Sequence, residues 1–293
     1  MTTRLYKWDD VSAPSHSGTG LGQILNILRA CLVTGYGTRT AAGWTNPYLD
    51  LPNNVGVFQG LAGTGDLFRI DDNINYEYSK ITGFSTMSDV DTGTEEYPKV
   101  PDDVSSTNWI QPNRDSSNVS YDPWYVIASE EFCYFISHGA SSERACFFFG
   151  EYEKITPSAT VPNYCISASR GTSVTSTTVG DGVYNLADLY QRRNHWNDVQ
   201  RNTLLSLRYD VNEFQQPNPL DGKFYFQRVK ISNHNNLPYV LWGHMPDLIN
   251  MYDGGSEDHF SEFSYLTIEG ENYLVVKSGF GTIWAHRYDS DVG

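Results

Sequence analysis

From Ser17 onward, Leu21, Ile24, Leu25, Leu28 and Leu32 recur at steps of three and four, the spacing of one helix face. Ser17 or Thr19 can cap the start and Gly35 suits the left-handed residue after the last turn, so the pattern predicts an amphipathic helix of about four turns. A second, more polar helix is predicted from Leu186 to about residue 205. Asn185 is its cap, Leu186, Leu189, Tyr190 and Trp196 lie on one side, and Asp188 stands four residues before Arg192.

Most of the remainder reads as strand and turn. The segments at 55–60, 66–71, 76–84, 124–129, 132–137, 145–152, 223–232, 272–278 and 282–288 are rich in aromatic and β-branched residues and are bounded by Gly, Asn, Asp or Pro. Two stretches, at about 95–123 and 167–182, are dense in turn formers and predict long surface excursions. Strands resume on either side of each, so neither reads as a linker. The expected fold is α+β: predominantly antiparallel β-sheet with an N-terminal amphipathic helix, a second mid-chain helix and long surface loops, in one domain over 1–293.

Composition narrows the function classes. The chain of 293 residues carries 20 Lys and Arg against 35 Asp and Glu, a formal charge of −15, which repels phosphate wherever no basic cluster offsets it. Specific nucleic-acid recognition is therefore not expected. No apolar run is long enough for a membrane helix and the first residues lack an apolar signal core, which predicts a soluble chain made in a cytoplasm. Cys31, Cys133, Cys146 and Cys165 form no C-x-x-C pair and read as small buried hydrophobes, with a Cys133–Cys146 bridge as the alternative.

Asp71, Asp72, Asp89 and Asp91 could form a glycosidase dyad if held at the right separation, but Asx residues beside Gly and Thr at strand ends ordinarily make turns. The stretch from Asp89 to Glu96 resembles a partial calcium loop that lacks its last ligands. The histidines, His16, His138, His195, His234, His244, His259 and His286, show no zinc-binding spacing. Ser137 precedes His138 on a strand, where adjacent side chains point to opposite faces. The glycine-rich pieces at 17–22 and 60–66 have no βαβ context for phosphate binding. Arg192, Arg193 and His195 beside Trp196 read as salt-bridging residues of an acidic protein. No catalytic, cofactor-binding or metal-binding residues are expected. The aromatic clusters at Tyr121, Trp124 and Tyr125 and at Tyr239 and Trp242 could line a sugar groove or a protein interface, of which the interface is the better reading, while burial in the core is the default for most aromatic residues of a sheet protein.

The segment 6–48 changes the balance. Trp8, Ala13, Pro14, Ser17, Gly18, Thr19, Cys31, Leu32, Val33, Gly35, Tyr36, Gly37, Gly43 and Trp44 stand where an uncharacterised family of tailed-bacteriophage virion structural proteins has its opening block: an aromatic strand, Ala-Pro, a Ser-Gly-Thr helix start, a Cys-Leu-Val run, Gly-aromatic-Gly and Ala-Gly-Trp. The segments 68–73, 83–98, 146–152, 242–249 and 270–279 resemble later blocks of that family in the same order. The helix start SGTGLG departs from the usual Ala and Ser around the second Gly, and the 99–123 excursion is peculiar to this chain.

The resemblance implies a non-enzymatic structural component of a tailed-phage virion, in the tail, baseplate or neck, assembled in the host cytoplasm as a symmetric multimer. Its partners would be copies of itself and other virion proteins, with no cofactor and no membrane. A head decoration or fibre-attachment protein is the alternative, and a carbohydrate-binding or carbohydrate-active tail module the alternative of another class. The structural and interface candidates are Trp8, Pro14, Gly18, Leu25, Leu28, Gly35, Gly37, Trp44, Trp124 and Trp242. In this reading the Ala-Pro turn sets the helix entry, Leu21, Ile24, Leu25 and Leu28 dock on the sheet, and Gly35 and Gly37 allow the sharp return that brings Trp44 against it.

Overall fold

The computed structural model describes residues 1–16, 21–60, 65–75, 78–97, 109–110, 123–138, 144–155, 164–168, 188–191, 204–208, 227–233, 241–252, 261, 263–277 and 282–289. In chain order, strand β1 (Arg4–Lys7) precedes helix α1 (Gln23–Arg29) and a π-helical turn (Ala30–Thr34). Then come β2 (Thr45–Asp50), β3 (Val55–Gln59), β4 (Leu67–Asn75), β5 (Tyr78–Phe84), the small hairpin β6 (Thr86–Met87) and β7 (Gly93–Thr94), and β8 (Trp109–Ile110). The rest is strand: β9 (Trp124–Ala128), β10 (Phe132–His138), β11 (Arg144–Glu151), β12 (Glu153–Lys154), β13 (Tyr164–Ala168), β14 (Asp188–Gln191), β15 (Leu204–Arg208), β16 (Gln227–Asn233), β17 (Leu241–Tyr252), β18 (Tyr265–Ile268), β19 (Glu271–Lys277) and β20 (Thr282–Tyr288).

The strands form a large antiparallel sheet in the order β1-β9-β10-β11-β13-β14-β15-β16-β17-β20-β19-β18, with β12 pairing beside β17. A smaller sheet has the order β2-β3-β4-β5-β8. The mostly-β, antiparallel architecture agrees with the sequence pattern. Alternation decides what each face meets. Val126, Cys133, Phe135, Phe147, Phe149 and Ile166 turn one face of β9–β13 toward α1 and toward Phe58, Phe68, Ile70 and Ile81 of the small sheet. Ile127, Tyr134, Ile136, Phe148 and Cys165 turn the other face toward Val229, Ile231, Met245, Leu248, Leu274, Val276 and Trp284, because the second half of the large sheet folds back over the first. Both faces are dry, which is why 132–137 and 145–150 read as continuous apolar runs.

The structure corrects the helices. The first is a seven-residue α-helix followed by the π-helical turn. Ile24, Leu25, Leu28, Cys31 and Leu32 are buried as the periodicity requires, but Leu21 lies ahead of the helix and is 44% exposed, so it does not dock on the sheet. Ser17, Gly18 and Thr19 lie outside the described residues. In the span given to the second helix, Asp188–Gln191 and Leu204–Arg208 are strands paired to each other and to β13 and β16. A weak helical pattern loses there to the hydrogen-bonding edge that β13 offers. The two long excursions fall outside the described residues except at their margins and at Trp109–Ile110, which pairs with β5.

Prolines in strands mark their irregularities. Pro47 lies in the register shift between Thr45 and Tyr48, and Pro246 where β17 leaves β16 between Arg228 and Lys230. The freed Pro246 carbonyl accepts the Tyr134 hydroxyl at 2.8 Å. The Thr3 amide donates to the Asp289 carboxylate at 2.7 Å, and the Asp289 amide returns a bond to the Thr3 carbonyl at 2.8 Å. The Thr3 hydroxyl meets Asp247 at 2.5 Å, and Arg287 pairs with Asp247 at 3.3 Å and Asp289 at 3.2 Å. These contacts tie residue 3 to the last strand.

The return after the helix depends on Gly35, whose φ is +75° and whose added Cβ would stand 2.5 Å from the Arg39 carbonyl. Strain and clash together exceed the ordinary value of a lost cap. Gly35→Val should destabilise the protein by about 2–4 kcal/mol, read as a shift in the urea midpoint, whereas Thr34→Val at the neighbouring exposed position should change it by less than about 0.5 kcal/mol.

Candidate functional site at the junction of the two sheets

The polar residues brought together by the fold converge where α1 meets the small sheet. Gly22 occupies the N-cap of α1 with φ +78° and supplies no side chain to the first turn. Asp72, fully buried on β4, supplies it instead: its Oδ2 accepts the amides of Ile24 at 2.9 Å and Leu25 at 3.3 Å. Its other oxygen accepts the Ser79 hydroxyl from β5. The main chain of Asp72 also takes part, accepting Gly22 N at 3.2 Å and donating to Asn54 O at 2.9 Å. One residue thus joins a helix, two strands and the β2–β3 turn. The buried charge is matched by hydrogen-bond donors and by the positive end of the helix.

A second tie lies in the segment before the helix. Asp10 accepts two bonds from Arg39, Nη2 to Oδ1 at 2.7 Å and Nε to Oδ2 at 3.0 Å, together with the Tyr36 hydroxyl at 2.9 Å and the Lys7 amide at 3.2 Å. Burial, with Cys31 and Asp10 nearby, pushes the Tyr36 hydroxyl far up, so it stays a donor. The Tyr6 hydroxyl reaches Thr40 O at 2.8 Å.

The sequence-derived candidates sort clearly against this frame. Leu25 and Leu28 are core. Gly35 and Gly37 both have positive φ, and Trp44 is buried, donating Nε1 to Ser129 O at 2.6 Å and meeting Phe149 edge-on at 5.3 Å. Pro14 offers its carbonyl to Trp124 Nε1 at 3.0 Å. Trp124 is fully buried and Tyr125 stacks on Phe263 at 4.7 Å, so both take the core role that is the default for aromatic residues of a sheet protein, and Trp124 is corrected as an interface candidate. Trp8 is 41% exposed. Gly18 and the Trp242 side chain lie outside the described residues, as do Tyr121 and Tyr239.

The acidic quartet does not form a dyad. Asp72 is the cap just described. Arg69 stands between Asp71 and Asp91, at 3.2 and 2.8 Å, and donates Nε to Val90 O at 2.9 Å. Asp89 accepts the amides of Asp91 at 2.8 Å and Thr92 at 2.7 Å, and these bonds hold its carboxyl below the usual range. Asp71, Asp89 and Asp91 thus each accept a guanidinium or amide donor at or beside the β6–β7 hairpin, and Asp72 serves the helix. All the cysteines are buried and free; Cys133 and Cys146 face opposite sides of the sheet, and burial pushes their thiols up. Among the described residues no group of three His, Cys, Asp or Glu could hold a metal ion, and no helix is long and apolar enough to cross a membrane. A cleft of about 380 Å³ near the N-terminus is lined by Met1, Thr2, Arg4, Glu130 and the Ala41–Gly43 turn, with Arg4 and Glu130 as its charged side chains. No family model matches the chain, and no curated protein matches it significantly.

The Asp72 cap escaped the sequence because it lies 48 residues from the helix it serves; the only local signals were Ser17 and Thr19. Asp72→Ala would strand two amides and a hydroxyl in the core, a loss of about 3 kcal/mol or more at roughly 1–3 kcal/mol for each orphaned group. Asp72→Asn, which keeps one acceptor, should lose about half as much; urea unfolding of the two variants reads the difference.

His286 gives a pH dependence. It is fully buried against Tyr134, with ring centres 4.7 Å apart, and burial lowers its pKa from 6.5 to about 3. The unfolded chain therefore binds this proton first. The neutral ring's contribution is present above about pH 6.5 and is lost as pH falls toward 3, at up to about 1.4 kcal/mol per pH unit. Melting temperature should fall over that window in the wild type, and the fall should be shallower in His286→Phe.

Proposed function

We propose that the chain is a non-enzymatic structural component of a tailed-phage virion, placed in the tail, baseplate or neck and acting through protein–protein interfaces in a symmetric assembly. The observation that carries this reading is the segment 6–48. It resembles the opening block of virion structural proteins, and its residues Asp10, Leu25, Leu28, Gly35, Tyr36 and Trp44 spend their chemistry on holding helix, turn and two sheets together. A building block that must transmit load between neighbours needs such a stiff junction, and repeated weak contacts around a closed ring give it avidity. The acidic surface favours partners over phosphate backbones.

The carbohydrate-active reading has less support. It needs two carboxylates free to act across a groove, whereas Asp71 and Asp91 share Arg69 and Asp72 caps a helix. Localisation on particles tests the proposal. An affinity tag on the chain, labelled with gold on particles of the phage that encodes it, should decorate the tail, baseplate or neck. Label on the head surface would favour the decoration alternative, and particles devoid of the chain would sink the virion reading.

A further inference from the structure

We infer that the cleft near the N-terminus binds a small zwitterion, with the ligand's carboxylate on Arg4 and its ammonium group on Glu130. The inference goes beyond the assembly reading above and does not rest on it. The cleft has a volume of about 380 Å³, the size of a small-molecule site, and its two charged side chains are of opposite sign. The fold uses neither of them. Arg39, Arg69, Arg228 and Arg287 are each paired with a carboxylate. Arg4 is half-buried in a chain with 35 acidic residues, yet among the described residues neither its guanidinium nor the Glu130 carboxylate makes an ion pair or a side-chain hydrogen bond.

The walls that carry the two charges are fixed by the core. Arg4 lies on β1 opposite Ala128, and alternation sends its side chain to the face of Tyr6, whose hydroxyl bonds the Thr40 carbonyl at 2.8 Å. The segment that follows is held there by the Ala42 amide on Cys31 O at 2.9 Å and the Gly43 amide on Leu32 O at 3.1 Å. Glu130 stands in the β9–β10 turn, two residues beyond the partner of Arg4. Ser129 locks that turn. Its amide donates to Phe132 O at 3.0 Å, its hydroxyl accepts the Glu131 amide at 3.1 Å, and its carbonyl accepts the Trp44 indole at 2.6 Å. Two glycines let the turn come close: a Cβ on Gly60 would stand 2.6 Å from the Glu130 carbonyl, and one on Gly43 would stand 3.7 Å from the Glu130 Cβ. The charged pair is therefore presented on a preformed frame.

The pairing of charges selects the ligand. A guanidinium takes a carboxylate through two parallel hydrogen bonds, and a carboxylate takes an ammonium group through one or two. A simple anion would set its charge beside Glu130 and a simple cation beside Arg4, so each would gain one contact and suffer one repulsion. A ligand that carries both charges satisfies both residues. The small side chains of Ala41 and Ala42 and the bare Gly43 leave room for the carbon skeleton between them. The net charge of −15 disfavours a doubly charged phosphate.

Ligand-detected NMR titration of the full chain, tagged only at its C-terminus, tests the site. The probes are glycine, β-alanine, γ-aminobutyrate and ε-aminocaproate, whose charges stand progressively farther apart, with acetate and methylamine as the two halves. One member of the series should bind about tenfold or more tighter than either half. Arg4→Gln and Glu130→Gln should each weaken that member by about tenfold with unchanged melting, since neither side chain is bonded within the fold. The exchanged pair, Arg4→Glu with Glu130→Arg, should bind it again, because the reversed ligand meets the same two charges. The site is overturned if no member binds or if both single variants bind as the wild type does, and its zwitterion preference is overturned if acetate alone matches the best member. None of these results bears on whether the chain is in particles, which the gold label reads separately.

Discussion

The strands β9, β10, β11 and β13 carry large apolar side chains on both faces, and each face must be covered. Phe147 and Phe149 point one way and Phe148 the other, every one of them fully buried. At about 1.5–3 kcal/mol for each such ring taken out of water, neither face can be left to solvent. The helix and small sheet cover one and the returning second half of the large sheet covers the other. The rest of the architecture, including the long path between β13 and β17, follows from that double demand.

Covering a sheet on two sides buries polar groups at the seams, and around the helix junction the fold answers several of them with ties between segments. Asp72 joins the helix to the small sheet, Asp10 gathers Lys7, Tyr36 and Arg39, and Ser129 receives the Trp44 indole. These groups are satisfied by donors fixed in the fold, which is the condition for keeping charge in a dry place. The same exhaustion of polar capacity makes the junction stiff and leaves outward chemistry to edges and loops.

The apolar strands were legible because double burial prints an uninterrupted run, and the core face of α1 because its spacing survives in Ile24, Leu25 and Leu28. The two-residue turn Glu269–Gly270 and strands β2 and β17 were not. Pro47 and Pro246 argue against a strand unless the bulges that house them are known, and those bulges are set by the partner strands. The mid-chain helix failed for a related reason: the residues around Leu189 and Leu205 have a weak local preference, and the open edge of β13 decides. At the junction, the interior roles of Trp44 and Gly35 could be read from 6–48, but the partnership of Asp72 with α1 could not, since nothing in a linear pattern links residues so far apart. Trp124 fills the core, the default for an aromatic residue of a sheet protein, and not the interface that was its alternative; an aromatic cluster looks alike in sequence whether it lines a surface or fills a core.

The clasp between Thr3 and Asp289 spans 286 residues. A ribosome adding about 5–20 residues per second therefore takes roughly 15–60 s to deliver the second half of it after the first has emerged. The Asp10 tie at Lys7 is local and can form at once, and β9 can pair with β1 midway, but the outward groups of Thr3 wait for the last strand. The vulnerable interval for this sheet end thus belongs to the nascent chain, and the emergence of the last strand is what closes it.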